Sequence, residues 1–168
     1  MLPVRILFVC TGNICRSPTA ERLADAHAIS GLHTESAGIH AVVGHPIETT
    51  AAAVLESMGA DSKNFSARRF VPAMAKDADL ILTMTLEQRA SVLSQAPMAL
   101  RKTFTLTEAA SLVESGARTV PELSAARPRI RVPAADILDP IGGDAEVFKA
   151  TANAIAGSLS TLLSGLAI

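Results

Sequence analysis

The fold is decided by the stretch Val4-Arg5-Ile6-Leu7-Phe8-Val9-Cys10-Thr11-Gly12-Asn13-Ile14-Cys15-Arg16-Ser17-Pro18. Its first six residues are apolar with one exception, which predicts a buried strand. Pro18 suits the first turn of a helix, and residues 19–26 continue as a helix-like segment. The loop between strand and helix contains Gly12 and Asn13, which tolerate a positive φ. A loop curled in this way at a helix N-terminus predicts a nest of backbone N–H groups for an anion.

The side chains of this loop suit one chemistry, the attack of sulfur on phosphorus. Cys10 reacts as a thiolate, and the nest, the helix N-terminus and Arg16 all favour that form. Arg16 also offers a planar fork that matches two phosphoryl oxygens at once. Ser17 can donate its hydroxyl to the sulfur, and Asn13 can hold the loop through its amide. The alternative, a buried cysteine in an ordinary turn, is disfavoured because nest and arginine coincide.

The nine residues Cys10–Pro18 resemble the phosphate-binding loop of the low-molecular-weight protein tyrosine phosphatases. The resemblance implies a phosphomonoester hydrolase, specifically a protein tyrosine phosphatase, that acts through a cysteinyl-phosphate on Cys10. Its substrate would be a phosphorylated protein, inorganic phosphate would be product and inhibitor, and neither a cofactor nor a metal would be needed. The implied phosphate-binding residues are Thr11, Gly12, Asn13, Ile14, Cys15, Arg16 and Ser17.

A second motif, Asp139-Pro140, matches the Asp-Pro that supplies the general acid in this family. Proline fixes the backbone and can hold a loop-borne acid over the nucleophile, where it protonates the leaving oxygen and later activates water. The alternative is that Asp139 only shapes a turn. The competing acids are then Asp136 and Asp144.

The positions that the resemblance assigns to the walls of the cleft carry no aromatic side chain. These positions are Ala41 on one side and Ile141 and Gly142 on the other. We therefore expect weak preference for phosphotyrosine, unless Phe65 closes the cleft. A related branch that acts on phosphoarginine tends to carry threonine where this chain has Ile14, and this difference favours phosphotyrosine.

Three further polar positions carry less specific expectations. Thr85 stands where the family usually has an acid that steadies the nucleophile loop, which implies a different support for that loop. His40 and His45 flank the loop on one side of the cleft, and loop polar residues often contact ligands. None of the four histidines has the spacing of metal ligands.

Composition predicts one globular domain over residues 1–168. The chain is 49% hydrophobic with a net charge of −1, which argues against a nucleic-acid binder. Both cysteines lie in one loop, so there is no disulfide framework, and a reducing, cytoplasmic setting is expected. No apolar stretch reaches the length that spans a membrane.

Strands alternate with helices along the chain, which predicts an α/β fold with a parallel sheet. The resemblance implies three layers: a flavodoxin-like, four-stranded sheet with helices on both faces. Strands are expected at 4–9, 32–38, 78–84 and 102–106. Helices are expected at 19–26, 47–58, 86–93, 108–115 behind a Thr107 cap, and 146–166. The segment Gly116–Pro133 is expected to be a loop or a short-helix insertion.

Two other functions fit the same residues. An arsenate reductase on this scaffold needs further thiols, and since no cysteine follows Cys15 an external thiol would have to supply them. A non-catalytic oxyanion-binding or redox module is disfavoured by the intact set of Cys10, Arg16 and Asp139. Cys15 could trap oxidised Cys10 as a disulfide, or it could simply be a small buried hydrophobe.

Overall fold

The computed structural model describes residues 3–133 and 135–168. Its parallel sheet contains β1 (Val4–Cys10), β2 (Leu32–Gly38), β3 (Leu80–Thr83) and β4 (Thr103–Thr105). The spatial order is β2-β1-β3-β4, and each neighbouring pair is parallel. This order confirms the predicted flavodoxin-like sheet, whose connections change direction between β1 and β3, where such sheets bind ligands.

Helices cover both faces of the sheet and complete the predicted three layers. They are α1 (Arg16–Ala26), α2 (Thr49–Ser57), α3 (Pro72–Asp77), α4 (Leu86–Gln95), α5 (Leu106–Glu114), α6 (Val120–Ala126), α7 (Ala145–Gly165) and a 3₁₀ helix, Pro97–Lys102. On one face α1, α2 and α5 pack around α7. On the other face α3, α4 and the 3₁₀ helix form a smaller core. Within the described ranges, no helix is both long and apolar enough to cross a bilayer.

The central position of β1 follows from its sequence. Successive side chains of a strand point to opposite faces of the sheet. Ile6 and Phe8 therefore enter the larger core, and Leu7 and Val9 enter the smaller one. All four are at most 1% exposed. A strand that is apolar on both faces lies inside a sheet that is covered on both sides. The last residue of β1, Cys10, is therefore at the middle of the sheet's carboxyl edge.

Most helix starts differ from the expectation by one to three residues, and two of these differences follow from a cap. α5 begins at Leu106 because Thr105, not Thr107, is its cap: Thr105 Oγ1 accepts the Glu108 amide at 3.2 Å. This is the usual spacing between a cap and the third helical residue. α7 begins behind Asp144, whose Oδ1 accepts the Val147 amide at 3.1 Å. Asp144, a competing acid on sequence grounds, is thus the cap of this helix.

The segment Gly116–Pro133 contains a short helix, α6, in place of an open loop. Arg127, just after this helix, lies 3.8 Å from the centre of the Phe104 ring and donates Nε to Glu108 at 2.9 Å. Burial lowers the pKa of Arg127. The segment is therefore tied to β4 and α5 through one cation–π contact and one ion pair. Helix α3 and the 3₁₀ helix were not predicted, because six residues are too few to show a helical period.

Candidate active site

The loop between β1 and α1 is shaped by hydrogen bonds to its carbonyl groups. The carbonyls of residues 10 to 12 accept amides from the segment 39–42 at 2.9–3.0 Å, and the Ile14 carbonyl accepts the Glu48 amide at 2.7 Å. In a planar trans peptide the carbonyl and the following N–H point in opposite directions. The N–H groups that follow these outward carbonyls therefore face the inside of the loop, where they can bind an anion.

Asn13 closes the loop from within. It is fully buried and has a φ of 55°, the conformation that its residue type tolerates. Its Oδ1 accepts the backbone N–H of Arg68 at 2.9 Å. Its Nδ2 donates to Ser17 Oγ at 2.9 Å and to Ser36 Oγ at 3.0 Å. One side chain thus connects the loop, the start of α1 and β2.

Gly38 explains why β2 can end so close to the loop. A Cβ at this position would lie 2.5 Å from the Thr11 carbonyl oxygen and 2.9 Å from the Asn13 nitrogen. Both atoms belong to the backbone and cannot move aside. Any side chain at residue 38 would therefore push the loop away from the sheet.

The two cysteines of the loop have different surroundings. Cys10 is 2% exposed, and its Sγ lies 2.9 Å from Ser17 Oγ at the N-terminus of α1. The sulfur of Cys10 therefore lies beside a hydroxyl and a helix N-terminus. Cys15 is also buried and free. Burial, followed by the negative charge of Cys10, raises the pKa of Cys15 to about 12. The thiol form therefore dominates at Cys15 near neutral pH.

Arg16 connects the phosphate loop with residues 136–141, the segment around Asp139 that we call the acid loop. Its guanidinium is almost fully buried, and one nitrogen donates to the Ile137 carbonyl at 2.8 Å. Another nitrogen lies 3.9 Å from Asp139 Oδ2. The other oxygen of Asp139 accepts the Ile141 amide at 3.1 Å. Asp139 therefore shapes a turn with one oxygen and directs the other toward Arg16, and its role as the general acid stays a prediction.

Asp136 anchors the acid loop. Its Oδ1 accepts the Leu86 amide at 3.0 Å, at the start of α4. The neighbouring Ile137 amide donates to the Met84 carbonyl at 2.9 Å. Both contacts attach the acid loop to the end of β3. Asp136, a competing acid on sequence grounds, is thus engaged by a backbone amide.

Gln88 supports the nucleophile loop and was missed on sequence grounds. Its Oε1 accepts the amides of Met84 and Thr85 at 2.9 and 3.1 Å, and its Nε2 donates to Thr11 Oγ1 at 3.1 Å. Thr85 caps α4 and forms a capping box with Gln88. The signal in the sequence was the Thr-x-x-Gln spacing. The presence of Thr85 in place of an acid implied a different support for the nucleophile loop. The side-chain amide of Gln88 provides that support.

An open cavity of about 340 Å³ lies over Arg16 between the phosphate loop and the acid loop. Its walls differ from the expected ones, since Ala41, Ile141 and Gly142 are not among the lining residues. The lining residues are Thr11, Arg16, Ile39, His40, Thr85, Glu87, Gln88, Ser91, Asp136, Leu138 and Asp139. The difference arises because the 39–42 segment bonds to the loop carbonyls, which places Ile39 and His40 next to the cavity.

Phe65 and His45 lie away from this cavity. The Phe65 ring is 5.8 Å from the Arg22 guanidinium and lines a separate cavity with Glu21 and Ser36. Phe65 therefore does not close the cleft. His45 is exposed, and its Nδ1 is 2.7 Å from the Pro46 carbonyl oxygen. His40 and His45 were both expected beside the cleft, and of the two it is His40 that lines it.

The central strand ends in a cysteine at a loop that can bind an anion. This arrangement defines a class of α/β proteins that have a sulfur nucleophile beneath an oxyanion site. The comparisons with known proteins narrow this class. The family model described as low molecular weight phosphotyrosine protein phosphatase matches residues 5–167. The chain belongs to this family, which confirms the predicted resemblance.

Relatives in the family carry two kinds of name. Over 99 residues the chain is 44% identical to the low molecular weight protein-tyrosine-phosphatase Etp of Escherichia coli K12; the match covers 59% of this chain and 66% of Etp. It is 32% identical over 170 residues to a protein-arginine-phosphatase of Geobacillus stearothermophilus, covering 99% and 95% of the two chains. The solved low molecular weight protein tyrosine phosphatase of T. tengcongensis superposes with a TM-score of 0.77 at 32% identity, covering 96% and 98%.

Proposed function

We propose that this protein hydrolyses phosphomonoesters on phosphorylated proteins through a cysteinyl-phosphate intermediate. The thiolate of Cys10 attacks phosphorus in line with the leaving oxygen. The inward amides of residues 11–17 and the guanidinium of Arg16 bind the three equatorial oxygens, where charge collects in the transition state. Ser17 donates to the sulfur when it leaves again as a thiolate. Residues 1–168 act as one catalytic domain in this proposal, supported by the family match over 5–167.

Asp139 acts first as an acid and then as a base. Its Oδ2 faces Arg16 from the rim of the cavity and is half exposed to solvent. From there it can protonate the leaving oxygen while Cys10 attacks. The same carboxylate then takes a proton from the water that hydrolyses the cysteinyl-phosphate. Inorganic phosphate leaves as the product.

One observation carries the proposal: Arg16 joins the loop of Cys10 to the loop of Asp139 across 121 residues of sequence. The test is the hydrolysis of an aryl phosphate by the wild type and by Cys10→Ser. We expect a burst of the aryl alcohol equal to the enzyme concentration, followed by steady turnover, and no turnover by Cys10→Ser. Turnover by Cys10→Ser would refute the covalent mechanism.

Phosphotyrosine is the first candidate for the substrate residue, supported by Ile14 and by relatives such as Etp. Phosphoarginine is the second; it is not an ester, so attack by Cys10 would break a P–N bond and Asp139 would protonate the leaving nitrogen. It is supported by the arginine phosphatase relative that aligns with 99% of this chain, and by three carboxylates in the cleft, Glu87, Asp136 and Asp139, which suit a cationic guanidinium. Specificity constants for a phosphotyrosine peptide and for the same peptide with phosphoarginine decide between them.

An arsenate reductase is the rival on this scaffold, and an external thiol would be its reductant. Arsenate reduction that depends on glutathione, in the absence of aryl phosphate hydrolysis, would favour that rival. We place the protein in the cytoplasm, since a reducing compartment keeps Cys10 and Cys15 as free thiols.

A further inference from the structure

A continuous line of hydrogen bonds runs from the nucleophile to helix α1. Cys10 Sγ contacts Ser17 Oγ at 2.9 Å, and Ser17 Oγ accepts from Asn13 Nδ2 at 2.9 Å. The same Asn13 nitrogen donates to Ser36 Oγ at 3.0 Å, and Ser36 in turn donates to Glu21 Oε2. Four of these residues are at most 3% exposed. Glu21 ends the line, and its other oxygen lies 4.0 Å from Arg22 Nε.

When Cys10 is a thiolate, which has no hydrogen to donate, each bond in this line has one direction. A backbone N–H, that of Arg68, donates to Asn13 Oδ1, so the amide must turn its NH₂ group toward the two hydroxyls. Since Ser36 Oγ accepts from Asn13, its own hydrogen goes to Glu21. Ser17 Oγ likewise accepts from Asn13, which leaves its hydrogen for the Cys10 sulfur, nearer at 2.9 Å than the Ala37 carbonyl at 3.4 Å.

The competing arrangement is a flipped Asn13 amide. Its oxygen would then accept from Ser17 and Ser36, and the Cys10 sulfur would lose its donor. Two groups oppose the flip. One is the Arg68 N–H, and the other is an acceptor that takes the Ser36 hydrogen away from Asn13. Glu21 is that acceptor, and its side chain is only 16% exposed.

We propose that Glu21 is a positioning residue for the nucleophile: through Ser36 and Asn13 it fixes the direction of the Ser17 hydroxyl and thereby favours the thiolate of Cys10. The inference rests on the proposed function, in which Cys10 reacts as a thiolate. Burial raises the pKa of Glu21, and the hydrogen bond from Ser36 opposes that shift. The positive charges of Arg22 and Arg68 oppose the shift as well, whereas the negative charge of Asp25 adds to it.

The chain offers a matched control one helical turn later. Asp25 on α1 accepts from Thr34 Oγ1 on β2, just as Glu21 accepts from Ser36 on the same pair of elements. Thr34, however, makes no hydrogen bond to Asn13. Asp25→Asn therefore disturbs the same helix–strand contact without breaking a hydrogen bond of the line to Cys10. It also removes a negative charge that raises the pKa of Glu21, so it leaves Glu21 at least as good an acceptor.

The test is the pH dependence of Cys10 alkylation by iodoacetamide, followed by mass spectrometry on the intact protein. Glu21→Gln keeps the shape of the side chain, but its amide can donate to Ser36 and release the Ser36 hydrogen toward Asn13. We expect the midpoint of the profile to move to higher pH, and the rate below the midpoint to fall about threefold to tenfold, the effect of one weakened hydrogen bond to a charged group. Asp25→Asn should leave the profile unchanged.

Ser36→Ala tests the same link without altering α1. It should shift the profile by a similar amount, and adding Glu21→Gln to it should cause no further shift, because the two residues act in series. A wild-type profile in Glu21→Gln, an equal shift in Asp25→Asn, or additive shifts in the double variant would overturn the inference. Alkylation needs no turnover, so failure of the proposed function would appear separately, as an enzyme that is alkylated normally but hydrolyses no phosphate ester.

Discussion

At the scale of single residues, Arg16 has more tasks than its place in the phosphate loop suggests. It donates to the Ile137 carbonyl at 2.8 Å and approaches Asp139 Oδ2 at 3.9 Å, while its fork remains available to a phosphoryl group. A lysine ammonium is a point charge and cannot serve these directions together. Substitution here therefore affects both anion binding and the acid loop.

We predict that Arg16→Lys lowers kcat/KM for an aryl phosphate by about 10²–10³, the loss typical of one transition-state donor. Because the Ile137 carbonyl also loses its partner, unfolding should become easier by about 1–3 kcal/mol. Steady-state kinetics and urea unfolding measure the two effects. A lysine variant with a tenth or more of wild-type kcat/KM would show that the planar guanidinium of Arg16 is not required.

The second residue-scale prediction concerns oxidation. Peroxide converts a Cys10 thiolate to a sulfenic acid, and Cys15 can trap it only as a thiolate. The pKa of Cys15 is raised to about 12. At pH values below this pKa, the thiolate fraction of Cys15 therefore grows about tenfold with each unit by which the pH rises. We predict that activity recovered by reductant after peroxide is larger at pH 8.5 than at pH 6.5, and that Cys15→Ser abolishes this dependence on pH. Equal recovery by both proteins at both pH values would show that Cys15 is only a buried hydrophobe.

How much of the site the sequence revealed depends on how local each contact is. Cys10 and Arg16 could be predicted because they lie in one contiguous motif whose chemistry is read directly. Glu21 and Gln88 could not, since each reaches the loop through a contact that exists only after β2 and β3 have packed beside β1. Glu21 is ordinary for a helix surface. The Thr-x-x-Gln spacing marks Gln88 as part of a capping box but does not show that it contacts Thr11.

At the scale of elements, the acid loop is held by contacts on both sides of Asp139. If Asp139 is the general acid, its loss should matter only where the leaving oxygen needs a proton. We predict that Asp139→Asn lowers kcat for an alkyl phosphate at least tenfold more than for nitrophenyl phosphate. The comparison of the two substrates with one enzyme preparation measures this ratio. Equal losses would move the acid elsewhere.

Asp136 should behave differently because it is an anchor. Asp136→Asn keeps an oxygen that can accept the Leu86 amide, whereas Asp136→Ala leaves that amide without its partner. We predict near-normal kcat for the asparagine variant and a loss of about tenfold for the alanine variant, similar for alkyl and nitrophenyl phosphates. A large loss in the asparagine variant, confined to alkyl phosphates, would make Asp136 the acid.

At the scale of the whole molecule, the parallel α/β class was predictable from alternating apolar strands and helices, and the flavodoxin-like sheet from the family resemblance, whereas several boundaries were not. Helix α5 starts two residues earlier than expected because two threonines compete for the cap and only the fold selects Thr105. The cleft walls were also misplaced. The segment 39–42 is positioned by bonds to the nucleophile loop, and sequence alone does not show which of its side chains faces the cavity.

These walls set the final prediction, which concerns specificity. The apolar surface of the cleft comes from Ile39 and from Leu138, which is 73% exposed, and the only ring that lines it is that of His40. An aromatic pair contributes about 0.5–1.5 kcal/mol beyond area burial, and its absence weakens the grip on a tyrosine ring. We predict that kcat/KM for a phosphotyrosine peptide exceeds that for the matching phosphoserine peptide by only about tenfold, and that Leu138→Tyr increases this ratio.

The matched control is Ile141→Tyr, which adds the same ring to the acid loop at an exposed position that does not line the cavity. It should leave the ratio of the two specificity constants unchanged, because a ring there does not reach the substrate. If the wild type already prefers phosphotyrosine by a thousandfold, the open cleft does not describe the bound state. The loop from Asp136 to Ile141 would then have to close over the tyrosine ring of the substrate. Leu138, the exposed apolar side chain of this loop that lines the cavity, would cover the face of the ring opposite Ile39.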